Sequence, residues 1–274
     1  MKSRFSCFLP RSLIFACALF LVFCFNAEAR GNTQNQNTIL TVGATPVPHA
    51  ELLNLIKDDL AQAGITLRII EFTDYVQPNT ALISGDIDAN FFQHIPYLEE
   101  RTEWVEKLVS AFGVHVEPFG LYSSKYRSVS DLPNGADIAI PNDPTNCGRA
   151  LLLLQANGLI TLRNGAGITA TPRDITGNPR NFRFRELEAA QLPRSLGDVD
   201  AAAINGNYAL QAGFNPVRDS LVIEGAQSPY VNIITVRKGM EQDPKIVALR
   251  NALLSQKVRD YINANYNGGV VAVF

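Results

Sequence analysis

The chain has 274 residues, is 46% hydrophobic and carries a formal net charge of −2 at pH 7. That length holds one large domain or two small lobes. The mildly acidic balance argues against a surface built for nucleic acid or another polyanion.

The N-terminus reads as an export signal. Lys2, Arg4 and Arg11 make a basic start, and Leu13 to Phe25 is an uncharged apolar run. At about 1.5 Å per helical residue such a run is too short to span a bilayer comfortably. Ala27-Glu28-Ala29 then offers a small-x-small cleavage pattern. We therefore expect a signal peptide over residues 1–29 and a mature chain beginning near Arg30. Losing three basic residues and Glu28 leaves that mature chain at a net charge of −4. Of the four cysteines, Cys7, Cys17 and Cys24 lie in this leader, so Cys147 alone remains and makes no internal disulfide. Leu21-Val22-Phe23-Cys24 is a second possibility, a degraded lipid-attachment box with bulky Phe23 where a small residue is expected. Simple cleavage is the preferred reading. No later stretch is long and apolar enough to span a membrane.

Residues 30–38 are polar and aperiodic and read as a flexible tether. Strand and helix signals then alternate. Ile39 to Thr45 predicts a short strand. Ala50 to Ala63 predicts a helix, with Leu52, Leu53, Ile56 and Leu60 at helical spacing and Gly64 closing it. Leu67 to Phe72 and Asp88 to Phe92 predict strands. The rhythm restarts with a strand over Ala136 to Ile140, a helix over Asn146 to Ala156, and strands over Phe182 to Leu187, Asp200 to Ile204 and Val231 to Val236. A long helix follows over Asp243 to Tyr266. The pattern implies an α/β fold with a mostly parallel sheet. Gly85-Asp-Ile-Asp-Ala recurs as Gly197-Asp-Val-Asp-Ala. That echo is either two similar turns or the sign of two halves built alike.

In open α/β sheets, ligands sit beyond the carboxyl ends of the strands. The segments after the predicted strands carry Tyr75, His94, Tyr97, Asn142, Asn146, Asn205 and Tyr208. They are rich in amides and aromatics and poor in acid–base pairs, which is the chemistry of recognition. Arg149 is predicted in the first turn of its helix, where its charge opposes the helix dipole and needs a partner. A guanidinium there can grip a carboxylate in a fork. Without a ligand we expect it to be solvated, so that its loss costs little stability. His49, His94 and His115 are far apart in sequence with no metal-ligand spacing, so no metal site and no cofactor are expected. Cys147 reads as a small buried residue rather than a nucleophile. Of Phe91 and Phe92, one should face the core and the other a cleft.

At these residues the chain resembles the NlpA-type methionine-binding lipoproteins of ABC importers. The resemblance is carried by Gly43-Ala-Thr-Pro46, Pro48-His-Ala-Glu51, Glu71 to Val76, Asp88 to Leu98, Ile140 to Asp143, Gly148 to Leu151 and Ile204 to Ala209, and holds from about Ile39 to the C-terminus. It implies a two-lobed periplasmic-binding-protein fold of type II, with the ligand cleft between lobes. Lobe 1 would comprise residues 39–120 and 231–274, and lobe 2 residues 121–230, with crossings near Gly120 and Tyr230. It also implies that Arg149 binds a ligand carboxylate. Asn142, Asn146 and Asn205, with Tyr208 beside them, would hold the amino and carboxylate groups. Tyr75, Phe92, His94 and Tyr97 would enclose a thioether chain. The expected partners are methionine or a similar amino acid and an ABC transporter permease, with no nucleic acid. The chain would act as a monomer in the periplasm, exported by its signal peptide, with Cys24 as the alternative lipid anchor. The rival readings are the same fold with another amino acid or a short peptide, and an exported hydrolase dependent on Cys147.

Overall fold

The strands take the β-branched and aliphatic runs of the sequence. In the computed structural model, which describes residue 1, residues 38–225 and residues 228–274, they are β1 (Thr38–Ala44), β2 (Ile65–Glu71), β3 (Ala89–His94), β4 (Leu108–Val116), β5 (Gly120–Tyr122), β6 (Asp137–Pro141), β7 (Thr161–Leu162), β8 (Ile175–Gly177), β9 (Arg183–Leu187), β10 (Ala201–Ile204), β11 (Val222–Ile223), β12 (Val231–Arg237) and β13 (Val271–Ala272). The expected signal peptide, Cys24 and nearly all of the expected tether lie outside the described residues. Among the described residues no helix is long and apolar enough to cross a membrane.

Two large sheets result. One has the order β13-β4-β12-β3-β1-β2, the other β11-β5-β10-β6-β9. The expectation of a mostly parallel sheet is corrected. β1 is parallel to β2 and β3, and β6 to β9 and β10, but β12 runs antiparallel to β3 and β4, and β5 antiparallel to β10 and β11. The reason is topological: β5 and β12 are the strands that open each sheet's share of the chain after it leaves the other sheet. They enter from the opposite end.

The two sheets repeat one plan, β2-β1-β3-β12 against β9-β6-β10-β5. The Gly-Asp-aliphatic-Asp-Ala echo marks equivalent places in them. Asp88, entering β3, accepts the Thr41 backbone N–H of β1 at 2.8 Å and donates its own N–H to the Thr41 carbonyl. Asp200, entering β10, does the same with Asp137 of β6, at 2.9 Å in each direction. Each aspartate satisfies a backbone donor of the neighbouring strand, where an orphan would be costly.

Helices cover both sheets. Leu52, Leu53, Ile56 and Leu60 are buried as their spacing predicts, and Leu151 and Leu154 fill the second core. Two helices are broken where one continuous run is predicted. The first splits into Glu51–Leu55 and Lys57–Gln62 at Ile56, whose ψ is 4°. The last splits into Pro244–Leu253 and Gln256–Asn265, with extended Ser255 at the second N-cap. The helix Pro144–Ala156 starts two residues earlier than predicted, because Asp143 caps it by accepting the Asn146 N–H at 2.9 Å.

That helix packs closely on the turn at Gly167–Thr169. A Cβ at Gly148 would overlap the Ile168 carbonyl group. Alanine gains about 1 kcal/mol of helix propensity over glycine, but forcing a backbone apart costs about 1–3 kcal/mol or more. Gly148→Ala is therefore expected to lower stability by about 1–2 kcal/mol, roughly 2–8 °C in the melting temperature of a domain this size. A thermal melt checks it, and an unchanged or higher midpoint would show that the turn yields freely.

Candidate functional site

The carboxyl ends of β3, β10 and β6 converge on one cavity, as the strand-end rule anticipates. It holds about 320 Å³ of space, counting the part open to solvent. That is at the small end for ligand clefts, which run about 300–1,000 Å³. Of the nine predicted site residues, seven line it: Tyr75, Phe92, His94, Tyr97, Asn146, Arg149 and Asn205. Its remaining walls are Gln93, Glu117, Gly206, Asn207 and Asn232.

One end is aromatic. Tyr75 lies 5.8 Å from Phe92 and 5.7 Å from Tyr97 between ring centroids. Phe91 and Phe92 point opposite ways, Phe91 fully buried in the core and Phe92 toward the cavity. His94 is tied at both nitrogens. Its Nδ1 accepts the Tyr97 backbone N–H at 3.1 Å, so its Nε2 carries the proton and donates to Asn146 Oδ1 at 3.3 Å. Burial, with the Arg149 charge second, pushes its pKa down to about 3. It is a neutral donor.

The other end is polar. Arg149 is 5% exposed, not solvated as expected. Its place is the second helical turn, since the helix begins at Pro144. Nε donates to Glu224 Oε1 at 3.0 Å, and Nη2 donates to Glu224 Oε2 and to the Glu117 carbonyl. The guanidinium also stacks on Tyr230, 4.1 Å from the ring centre. Its fork is thus taken by a residue of the chain itself, and Nη1 donates to no acceptor among the described residues. Two amide atoms of the lining residues are buried without partners, Asn205 Oδ1 and Asn207 Nδ2. Asn207 is held in that pose by the Tyr75 hydroxyl, which donates to its Oδ1 at 2.6 Å.

Two predicted residues do not reach the cavity. Asn142 is exposed at the end of β6, where its backbone N–H is spent on the Leu187 carbonyl at 2.9 Å. Asp143, one residue on, takes the capping position instead. Tyr208 is buried behind Tyr75, 4.9 Å between ring centres, with its hydroxyl donating to the Thr73 carbonyl at 3.0 Å. It backs the aromatic wall without lining it. Asn146 lines the cavity with its carbonyl already engaged by His94 and by Asn205 Nδ2 at 2.8 Å.

Sequence reasoning missed Glu117, Glu224, Asn207 and Asn232. Asn207 and Asn232 had a signal in their places three residues past β10 and inside β12. It also missed that His49 and His115, 66 positions apart by their numbers, meet around Glu117 with ligand atoms within 4.8 Å of one another. That meeting removes the argument from sequence distance against a metal set here.

A model of the NlpA lipoprotein family matches residues 40–274. The chain belongs to the NlpA lipoprotein family. The methionine-binding lipoprotein MetQ of Bacillus subtilis is 42% identical over 273 residues, covering 95% of this chain and 98% of that one. A nutrient binding protein from Burkholderia cenocepacia, solved bound to methionine, superposes with a TM-score of 0.83 at 45% identity, covering 86% of this chain and all of its own. A periplasmic substrate-binding protein of an ABC transporter from Coxiella burnetii gives 0.81 at 44% identity, covering 85% and 100%. The fold is the two-lobed periplasmic-binding fold of these family members.

A buried neutral histidine makes folding pH-dependent. The pKa of His94 is below its unfolded value of 6.5, so the unfolded chain takes the proton first and stability is lost as pH falls below 6.5. His94→Gln removes this. Relative to the variant, the native chain should lose about 2 kcal/mol between pH 7 and pH 5. Denaturant melts across that range check it, and parallel pH profiles would mean that His94 titrates normally.

Proposed function

We propose that this chain is the substrate-binding protein of an ABC importer and closes its two lobes on a free amino acid, methionine. The observation that carries this is the two-ended cavity. Its lining combines an arginine and two amides that carry unpartnered atoms with a wall of aromatic rings. An amino acid backbone answers the polar end, with its carboxylate on Arg149 Nη1 and Asn207 Nδ2. A thioether answers the aromatic end, since sulfur–aromatic contacts are worth about 0.3–1.5 kcal/mol each. The methionine-bound relative at 45% identity supports the same reading.

The lobes in this proposal are residues 39–120 with 231–274, and residues 121–230. They hinge at the two crossings between sheets. The closed lobes dock on a permease, and one chain suffices because every wall of the cavity comes from it. Cys147 gives the hydrolase reading no support: it is buried in the core of the second sheet, and burial pushes its thiol up to about 12.

The test is calorimetry on ligand-free, refolded protein. Methionine should bind well above glutamine or lysine, and comparable affinity for those would sink the methionine assignment while leaving the fold intact. Arg149→Ala should weaken methionine by more than about tenfold, because a buried charge pair loses one partner. The variant should also melt lower, since Glu224 is left without its cation. Arg149→Lys keeps the charge but not the fork and should recover only part of both. Wild-type affinity in Arg149→Ala would place the carboxylate elsewhere.

Export to the outer side of the membrane belongs to this reading, and the lipoprotein relatives favour Cys24 as the anchor over simple cleavage. Intact-mass measurement on envelope material should find a diacylated Cys24 at the mature N-terminus. A chain starting at Arg30 would overturn the anchor.

A further inference from the structure

Next in the chain to the cavity wall, one hydroxyl stands between two carboxylates that come from opposite lobes of the proposed function. Glu100 follows β3 and the short helix Ile95–Leu98, in the first lobe. Asp143 and Thr145 follow β6, in the second. Thr145 Oγ1 is 3.3 Å from Glu100 Oε2 and 3.2 Å from Asp143 Oδ1. Thr145 is buried, and both carboxylates are half-buried. A hydroxyl has one proton, so it donates to one of these oxygens and not to both. With both carboxylates charged, the second oxygen faces a threonine lone pair, and two like charges stand one hydroxyl apart.

The contacts decide which carboxylate is short of a donor. Asp143 Oδ1 accepts the Asn146 backbone N–H at 2.9 Å and the Asn146 Nδ2–H at 2.8 Å, and these hold its anion. Glu100 accepts from no side chain but Thr145 among the described residues. Arg101, next in the chain, is turned onto the Trp104 ring, 4.7 Å from its centre. A proton on Glu100 resolves the conflict. Its O–H donates to Thr145 Oγ1, the Thr145 O–H donates to Asp143 Oδ1, and each oxygen meets a hydrogen. When the lobes open, the two carboxylates part and water hydrates both, so Glu100 no longer needs the proton.

We propose that closure of the lobes takes up a proton at Glu100, so that this contact tightens ligand capture in acid and eases release as pH rises. This rests on the reading that the lobes close on an amino acid. The Glu100 carboxyl is raised above its ordinary value of 4.5, by burial first and the Asp143 charge second, with the Thr145 donor and the Arg101 charge opposing them. Burial raises Asp143 as well, against the Asn146 donors. Tyr97, which feels both carboxylates, is raised and stays protonated. A closed form that holds the proton more tightly than the open form gains affinity from it. That gain is full below 4.5 and is lost as pH rises through the raised value.

The experiment titrates methionine into native protein and Glu100→Gln by calorimetry, in pairs of buffers of different ionisation enthalpy, at pH 7 and at pH 5. Native protein should take up more protons per methionine bound than Glu100→Gln does. The glutamine amide is a permanent donor to Thr145 and carries no charge. The variant should therefore bind methionine about 2- to 10-fold tighter than native protein at pH 7, and the gap should shrink at pH 5. Glu117, Asp143 and His94 titrate in both proteins, so the comparison removes them. Equal proton uptake in the two proteins at both pH values would overturn the proposal. A variant weaker than native protein at both would overturn it too, by making Glu100 an ordinary closing contact. Should Glu100→Gln not fold, Glu100→Ala truncates the same half-buried side chain and should show the same loss of uptake; uptake retained in it would overturn the proposal. If native protein binds no methionine, the amino-acid reading has failed and this proposal falls with it, whereas binding with equal uptake strikes this proposal alone.

Discussion

A guanidinium taken out of water needs an acceptor for each of its nitrogens, and Arg149 is where that constraint bears hardest. Glu224 answers Nε and Nη2, the Glu117 carbonyl shares Nη2, and Tyr230 covers one face. Those three partners come from separate parts of the chain: Glu117 follows β4, Glu224 follows β11, and Tyr230 precedes β12. They are the two segments in which the chain passes between its sheets. The buried arginine therefore ties together both crossings, and the helix that carries it is tied to them as well. Nη1 alone is left without an acceptor among the described residues, on a side chain that lines the cavity.

The same economy governs the amides of the lining. Asn146 accepts from His94 and Asn205, which leaves Asn205 Oδ1 without a partner. Tyr75 fixes Asn207 and frees its Nδ2. Asp143 holds Asn146 through both its backbone N–H and its side-chain amide, at 2.9 and 2.8 Å. A cavity in which each amide's free atom is dictated by its bound one loses little entropy when a ligand arrives, and preorganisation of this kind is a main source of affinity for small ligands.

Much of this could be read from the chain before its fold. The period-2 and period-3.6 patterns located the main strands and helices, because those elements bury one face and the burial writes itself into the sequence. β4 was not seen, since Leu108–Val116 is only partly buried over its middle and does not alternate cleanly. The helix breaks at Ile56 and Ser255 were missed because apolar spacing continues across both. Within the site, strand-end residues were legible: Tyr75, His94, Asn146 and Asn205 each follow or end a strand. Asn142 shares that position yet is exposed, because one residue decides which way a side chain leaves a strand end. Glu117 and Glu224 lie in the crossings, which carry no periodic signal, and their meeting with His49, His115 and Arg149 is a product of tertiary structure alone.

Closure in this fold rests on few polar contacts between the two sheets. Tyr75 reaches Asn207, Tyr208 reaches the Thr73 carbonyl, His94 reaches Asn146, and Thr145 reaches Glu100 at 3.3 Å. A typical hydrogen bond contributes about 0.5–1.5 kcal/mol net, and those at the rim also compete with water. Against them stands the cost of burying amide atoms with no partners. An empty closed form therefore carries unanswered polar groups that the open form can hydrate. A ligand that answers them shifts the balance toward closure by its differential affinity for the closed state, and only by that amount. A compound that fills the aromatic end but leaves the buried polar groups unanswered gains contacts without relieving the cost. Recognition of the backbone and closure of the lobes are then one energetic event, and the side-chain pocket sets which amino acid benefits from it.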